Sequence, residues 1–309
     1  MDFRQLEYII EIAKENNISR AAKNLFISQS ALNQQLLKLE KELGTQLFHR
    51  SRTDWHPTEA GRIYIEGAQQ ALQIKRDTYN RINDISHSRK SELKIGLTPG
   101  RGIAMFTAIY PTLYQHFTDL VVTPIEMGAM KQMTAIANGE IDIGFVTCTP
   151  EQRTKDCFVK IGSEEMVVVV PRVHPICEKA APPGEPFTKI NLKELEYEPF
   201  TLMYPYSTNR KAVDAIFRKA GFEPNILMET SSTSSILSLV GSYLCCGIVP
   251  SYYLDEKDNK VGCFVLQDHP TWDLCIVYRR NAYLTDAERE FIRLSEEYWK
   301  TYLRPVQTN

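Results

Sequence analysis

Residues 17–50, NISRAAKNLFISQSALNQQLLKLEKELGTQLFHR, spell two short amphipathic helices joined by a tight turn and stopped by a glycine. Ahead of them Phe3, Leu6, Ile10 and Ala13 recur at helical spacing, which predicts a first helix with one stripe on a small core. Asn17 is placed to cap the second helix, where Ala21, Ala22 and Leu25 face inward and are small enough for another helix to come close. Phe26 and Ile27 are expected to anchor the turn. Ser28 reads as the N-cap of the third helix, whose Leu32, Leu36, Leu39 and Leu43 hold the buried side until Gly44 ends it.

The other side of the third helix carries Gln29, Ser30, Asn33, Gln34 and Lys38. Polar residues alone would mark only a solvated face, but this helix is the second of a helix-turn-helix. Amides there can pair bidentately with adenine in the major groove, so the expected partner is double-stranded DNA. In the following QLFHRSRTDWHPT, Phe48 and Trp55 anchor a short two-stranded wing around His49, Arg50 and Arg52, with both arginines assigned to the phosphate backbone. Ser28 and Thr58, each at a helix start, complete the DNA-facing set. From Thr58 a helical pattern runs without proline to about Ser88, and Ile65, Ala68, Leu72, Tyr79 and Ile82 fall near one seam. A helix of that length without its own core is expected to dimerise, although packing on its own domain is the plain alternative.

At this point the chain resembles the LysR-type transcriptional regulators over its whole length. Arg20, Ala21, Ala22, Leu25, Ser28, Gln29, Leu39, Glu40, Leu43, Gly44, Leu47, Phe48, Arg50, Thr58, Glu59, Ala60 and Gly61 stand where that family's pattern has them. Ser30, Asn33, Gln34 and Leu37 depart from it, which leaves the docking mode and alters the operator preference. The resemblance implies an α/β chain with an N-terminal all-α winged helix-turn-helix over residues 1–60 and a long linker and dimerisation helix over 61–90. It also implies a two-lobed, periplasmic-binding-protein-like effector domain over 91–309, with lobe one at 91–162 and 267–309 and lobe two at 163–266. A homodimer or homotetramer on an interrupted inverted repeat, a small-molecule effector and contact with RNA polymerase follow as expectations.

Composition agrees with this division. A chain of 309 residues with 43% hydrophobic content can bury more than one core. Residues 1–90 hold 14 Lys and Arg against 11 Asp and Glu, and the remainder holds 22 against 27. A net +3 is modest for a DNA reader, so affinity has to lean on dimerisation and on where the cations sit. No apolar stretch approaches the roughly 20 residues of a membrane span, and Met1 leads into a charged helix, so a cytoplasmic protein with no membrane partner is expected. All seven cysteines lie beyond residue 147 at irregular spacing. They are expected to be reduced core thiols, with a vicinal Cys245–Cys246 bridge a minor alternative and no metal or cofactor implied.

From Leu93, after a hinge at residues 87–92, short apolar runs alternate with amphipathic helices. Leu93–Leu97, Val121–Ile125, Ile141–Val146, Met166–Val170, Phe200–Met203, Ile226–Glu229, Cys246–Val249 and Leu274–Tyr278 read as strands of a parallel sheet. The two lobe crossings are placed near 161–164 and 266–269. Ligands of open α/β sheets bind beyond the carboxyl ends of strands, which nominates Thr98, Pro99, Gly100, Arg101, Gly128, Thr147, Met203, Tyr204 and Ser232. Ser207, Thr208, Ser231, Gly247 and Pro250 are candidates for the remaining wall. Cations Arg101, Lys131 and Arg210 beside helix N-termini favour an anionic, carboxylate-bearing effector. Catalysis has little footing, since the six histidines are scattered and no H-E-x-x-H, G-x-S-x-G or phosphate-loop motif occurs. Two alternatives remain: a small-molecule binding protein without DNA function, and a thiol redox sensor of the same family. The second is disfavoured because Tyr206, Ser207 and Thr208 occupy the segment where that branch carries its reactive cysteines.

Overall fold

The computed structural model describes residues 2–51, 55–85, 92–182, 185–254 and 259–303, and the chain divides into two compact units, Met1–Ser88 and Arg89–Asn309. In the first unit, α1 (Phe3–Glu15), α2 (Ile18–Asn24) and α3 (Gln29–Leu43) are followed by the antiparallel pair β1 (Phe48–Arg50) and β2 (Trp55–Pro57) and then by α4 (Glu59–Ile85). The caps are those the sequence supplies. Asn17 Oδ1 accepts from the Ser19 and Arg20 amides, Ser28 Oγ accepts from Ala31 N, and Gly44 takes the left-handed conformation at φ 70°.

Three core assignments change. The buried stripe of α1 is Leu6, Ile9 and Ile12, whereas Phe3 is exposed and lies 4.6 Å beneath the Lys75 ammonium. On α3 the buried set is Leu32, Leu36, Leu39 and Glu40, with Leu43 exposed in the last turn. Phe26 does not anchor the turn: its φ of 55° turns the side chain outward, and it is 96% exposed. The turn is closed by backbone instead, through Ile27 N donating to Ala22 O at 3.0 Å.

The start of α4 packs on the reader. Thr58 Oγ1 accepts from Gly61 N and donates to Gln46 O, and a Cβ at Gly61 would collide with the Leu47 carbonyl, so only glycine permits this approach. Ala68 is fully buried and Ile65 packs on the reader core, which places this part of the expected seam inside its own unit. Leu72 is half-buried, and Tyr79 and Ile82 are exposed. Three of the exposed isoleucines, Ile63, Ile74 and Ile85, recur every 11 residues, which keeps them on one face of a straight helix, away from Ala68.

The second unit begins with β3 (Glu92–Leu97), α5 (Arg101–His116), β4 (Val121–Glu126), α6 (Ala129–Ala137) and β5 (Ile143–Cys148). It continues through β6 (Cys157–Pro171), β7 (Lys189–Ile190), β8 (Pro199–Met203), α7 (Thr208–Ala220), β9 (Asn225–Thr230) and α8 (Thr233–Gly241). β10 (Gly247–Pro250), β11 (Val261–Leu266), β12 (Thr271–Tyr278) and α9 (Asp286–Tyr302) complete it. The main sheet runs β4-β3-β5-β12-β6-β11-β7, with β10 also on β6 and the β8–β9 pair joined to β10 by a Phe200–Cys246 bridge. It is mixed rather than parallel. β4, β3 and β5 are parallel, as are β8 and β9, whereas β12 is antiparallel to β5 and β6, and β10 and β11 are antiparallel to β6.

β6 makes the first crossing without a break. Its residues up to Glu165 pair with β12, and those from Met166 pair with β10 and β11, so the chain passes between lobes at 165/166 and returns over residues 267–270. Each lobe buries its own core. In one, Phe145 stacks on Trp299 at 5.5 Å; in the other, Phe200 and Phe217 meet edge to face at 5.0 Å. Among the described residues no helix is long and apolar enough to cross a membrane.

Candidate functional site

The first candidate surface is the outer face of α3. Ser30, Gln34 and Lys38, spaced four apart, are exposed along it, Gln29 is exposed at its start, and Asn33 is half-buried beside them. Two of these side chains have local partners: Ser19 Oγ donates to Gln29 Oε1 at 2.9 Å, and Ser30 Oγ lies 3.0 Å from Ser28 Oγ. Gln34 and Lys38 are therefore the most freely disposed of the set.

Arg50 of the wing has a partner within its own unit. Its guanidinium is paired with the buried carboxylate of Glu40 and lies 5.6 Å from the Trp55 ring, and the second Glu40 oxygen accepts from Leu47 N at 2.8 Å. The arginine thus neutralises a charge inside α3 and ties the wing to it. Arg52 lies outside the described residues. Thr58 spends its hydroxyl on the cap of α4 and on Gln46.

The second candidate is a cavity of about 730 Å³ in the Arg89–Asn309 unit. All nine residues expected from the strand ends, Thr98, Pro99, Gly100, Arg101, Gly128, Thr147, Met203, Tyr204 and Ser232, line it, as do Ser207, Thr208 and Ser231. Gly247 and Pro250 do not: they pair with Val169 and Met166 of β6 and lie inside the sheet. The walls also include Glu126, Met127, Met130, Lys131, Asn209, Tyr253 and Trp272. Asn209 has a legible signal, a polar residue in the first turn of the helix after β8. Tyr253 and Trp272 have none, because one sits in a short turn after β10 and the other faces the cleft only through the β6–β12 register.

Four helices begin at this cavity in two different ways. α7 and α8 are capped by Ser207 and Ser232, which accept from Arg210 N at 3.0 Å and Ser235 N at 3.4 Å. α5 and α6 start at Gly100 and Gly128, which have no side chain to cap them. α7 and α8 therefore have one first-turn N–H each met by a side chain, α5 and α6 have none so met, and all four begin with the positive end of a helix dipole.

The expected cations are largely committed. Arg101 pairs through Nη1 with the fully buried Glu164, which also accepts from Trp272 Nε1 at 2.6 Å and Tyr252 N at 3.2 Å. Burial alone would lower the Arg101 pKa, but the Glu164 carboxylate reverses this and raises it above the ordinary arginine value. Arg210 donates to Asp214, to Met203 O and to Glu229, and it does not line the cavity. Lys131 stands exposed on the wall, with Glu126 also on it. The cleft is thus close to charge-balanced, with Arg101 held by Glu164 and Arg210 outside its lining. Of the residues that line it, Thr98, Arg101 and Asn209 have polar atoms (Oγ1, Nη2, and Nδ2 with Oδ1) closed off from solvent and without hydrogen-bond partners.

The seven cysteines are free thiols. Burial pushes Cys246 up to about 12 and raises Cys245, and Cys275 is raised by its contact with Cys148 and by burial. Cys148 is the exception, lowered chiefly by the hydrogen bond from Cys275, yet it too is fully buried. Cys157 and Cys263 are half-exposed rather than core residues. At the β8–α7 junction Tyr206 is exposed and Ser207 is the helix cap, so no thiol stands there.

Comparison with known proteins gives two family matches. Residues 3–62 match "Bacterial regulatory helix-turn-helix protein, lysR family", and residues 86–300 match "LysR substrate binding domain". Among relatives, the uncharacterized HTH-type transcriptional regulator YcgK of Bacillus subtilis is 27% identical, over 97% of this chain and 95% of its own length. Among solved structures, a full-length OxyR variant from Pseudomonas aeruginosa superposes with a TM-score of 0.71 at 21% identity, covering 100% of this chain and 98% of its own. Full-length CbnR complexed with its target DNA superposes with a TM-score of 0.56 at 22% identity, covering 96% of this chain and 99% of its own.

Proposed function

Because the chain belongs to the LysR family of DNA-binding transcriptional regulators, we propose that α3 reads an operator through Gln34, with Gln29, Ser30, Asn33 and Lys38 around it, while a small effector in the cleft biases the arrangement of subunits. The cleft reading is carried by one observation, a cavity of about 730 Å³ lined by the strand ends and helix starts of the Arg89–Asn309 unit. A carboxylate fits the uncapped starts of α5 and α6. The target-DNA complex of CbnR supports the reading of α3, and the exposed Ile63, Ile74 and Ile85 of α4 supply the proposed face between subunits of a homodimer or homotetramer. RNA polymerase is the further partner this reading requires if the regulator activates.

The test begins with capture of genomic fragments by the full-length protein, which yields the operator. Gln34→Ala is then expected to cost about 1–3 kcal/mol on that sequence and to relax selectivity at one base position per half-site. Unchanged affinity and unchanged preference in a binding-and-sequencing assay would remove Gln34 from the base contacts. Arg50→Ala tests a separate point. It is expected to lower the thermal stability of the reader, since it strands the Glu40 carboxylate, and to weaken all sequences alike.

The thiol reading makes the opposite demand on chemistry. Iodoacetamide reaches the half-exposed Cys157 and Cys263 first, and the alkylated protein is expected to keep its effector-dependent shift in operator binding. A response abolished by alkylation, with folding intact by circular dichroism, favours the redox sensor.

A further inference from the structure

The wing carries two histidines on different strands, and the register of β1 with β2 sets His49 directly opposite His56. Opposed residues of an antiparallel pair project from the same face. Here that face is the outer one: both histidines are exposed, whereas Phe48 is fully buried and Trp55 and Pro57 are half-buried. The backbone fixes their spacing. Trp55 N donates to Asn16 O at 3.0 Å and Pro57 has no N–H, so the paired ladder hydrogen bonds fall at His49 and His56. Such a hydrogen-bonded pair holds its Cα atoms about 5.5 Å apart.

Two neutral imidazoles at that spacing form a chelate. Nitrogens about 2.0–2.1 Å from a tetrahedral centre lie roughly 3.3 Å from each other, within reach of two side chains that leave neighbouring strands on one face. Imidazole selects borderline divalent ions such as zinc, nickel and copper, while magnesium and calcium demand oxygen donors. His116, His174 and His269 are arranged differently, each facing a carboxylate, of Glu290, Glu198 and Glu165, rather than a second imidazole. No group of three or more His, Cys, Asp or Glu among the described residues is placed to hold an ion. The wing therefore supplies two donors and leaves the other coordination positions to water.

We infer that His49 and His56 form a two-imidazole site for a borderline divalent transition metal, on the outer face of the wing and separate from the effector cleft. The site needs nothing from the rest of the chain beyond the β1–β2 ladder that sets the two rings side by side. It is also independent of the cleft reading, because its donors belong to the Met1–Ser88 unit.

Calorimetric titration of the full-length chain with nickel chloride and zinc chloride, in a non-chelating buffer, tests it. The wild type is expected to bind either ion, and magnesium chloride is expected to give no response. His49→Ala and His56→Ala should each weaken binding roughly tenfold or more, because a single imidazole holds the ion without the advantage of a tethered second donor. His56→Cys should keep zinc affinity, since a thiolate is an equally suitable zinc ligand at the same place. Electron paramagnetic resonance of the copper(II)-loaded protein should show two coordinated imidazole nitrogens in the wild type and one in either alanine variant. Both side chains are exposed, so the variants should melt with the wild type; His49→Gln and His56→Gln repeat the comparison if alanine unsettles the wing. Wild-type binding no tighter than about 1 mM overturns the site. So does affinity that survives both alanine substitutions, which would place the ion elsewhere on the chain.

Discussion

Arg101→Met is expected to destabilise the Arg89–Asn309 unit by about 3–5 kcal/mol, a loss large enough to threaten folding at physiological temperature. The reason is the charge left behind. Glu164 is fully buried, its ion-pair partner is itself only 3% exposed at the side chain, and the remaining donors to its carboxylate, Trp272 Nε1 and Tyr252 N, are neutral. The guanidinium also lies 4.9 to 6.0 Å from the rings of Tyr253, Tyr252, Trp272 and Trp299, so its removal takes several cation–π contacts with it. Urea denaturation followed by fluorescence reads the loss. The double variant Arg101→Met with Glu164→Gln should recover much of it, because the stranded carboxylate is then gone. A single-variant loss below about 1 kcal/mol would show that water reaches Glu164 and that the pair is not closed. The prediction separates two roles that sequence alone conflated: a cation serving an effector could be lost at small cost to stability, whereas a cation serving Glu164 cannot.

That conflation shows where sequence reading succeeds and where it runs out. Local signals were decisive for Asn17, Ser28 and Gly44, since a cap depends on a residue and its neighbours two or three positions away. The cleft wall was legible for a similar reason: strand ends are set by short apolar runs, and Thr98, Thr147 and Met203 follow from those runs directly. What failed was whatever depends on distant partners. Glu164 lies 63 residues from Arg101, and nothing in the pattern around either announces the pair. Phe26 looks like a turn anchor by composition, yet a positive φ decides its direction. β11, VGCFVL, carries a weak signal because glycine and cysteine break its apolar run, and the antiparallel direction of β10 and β12 is set by register with β6, far along the chain. On α4 the structure divides the seam read from sequence, with Ile65 and Ala68 under the reader and Tyr79 and Ile82 exposed. The face bearing Ile65 and Ala68 is the one the reader covers, a fact that only the packing of α1 on α4 decides.

The phase of α4 yields the second large effect. Ile74→Asp is expected to separate the oligomer and to lower operator affinity on the order of 100-fold or more at physiological salt. Ile74 is 68% exposed, as is Ile63, and Ile85 is 81% exposed, so three β-branched apolar side chains lie in water along one helix face unless another subunit covers them. An aspartate there costs the isolated subunit almost nothing and places a desolvated charge in the interface. The consequence for DNA follows from the reader's small net charge: with few cations per subunit, two half-sites must be held together for useful affinity, and freeing one subunit forfeits its whole set of phosphate contacts. Leu72→Asp is the matched comparison, because Leu72 is half-buried and lies one helical turn from the buried Ala68. It should lower the melting temperature of the Met1–Ser88 unit without selectively dissociating the oligomer. Light scattering at micromolar concentration, paired with operator titration, distinguishes the two faces. Should Leu72→Asp dissociate a stably folded protein while Ile74→Asp leaves mass and affinity unchanged, the subunit contact belongs to the face read from sequence, and the isoleucine stripe has some other occupant.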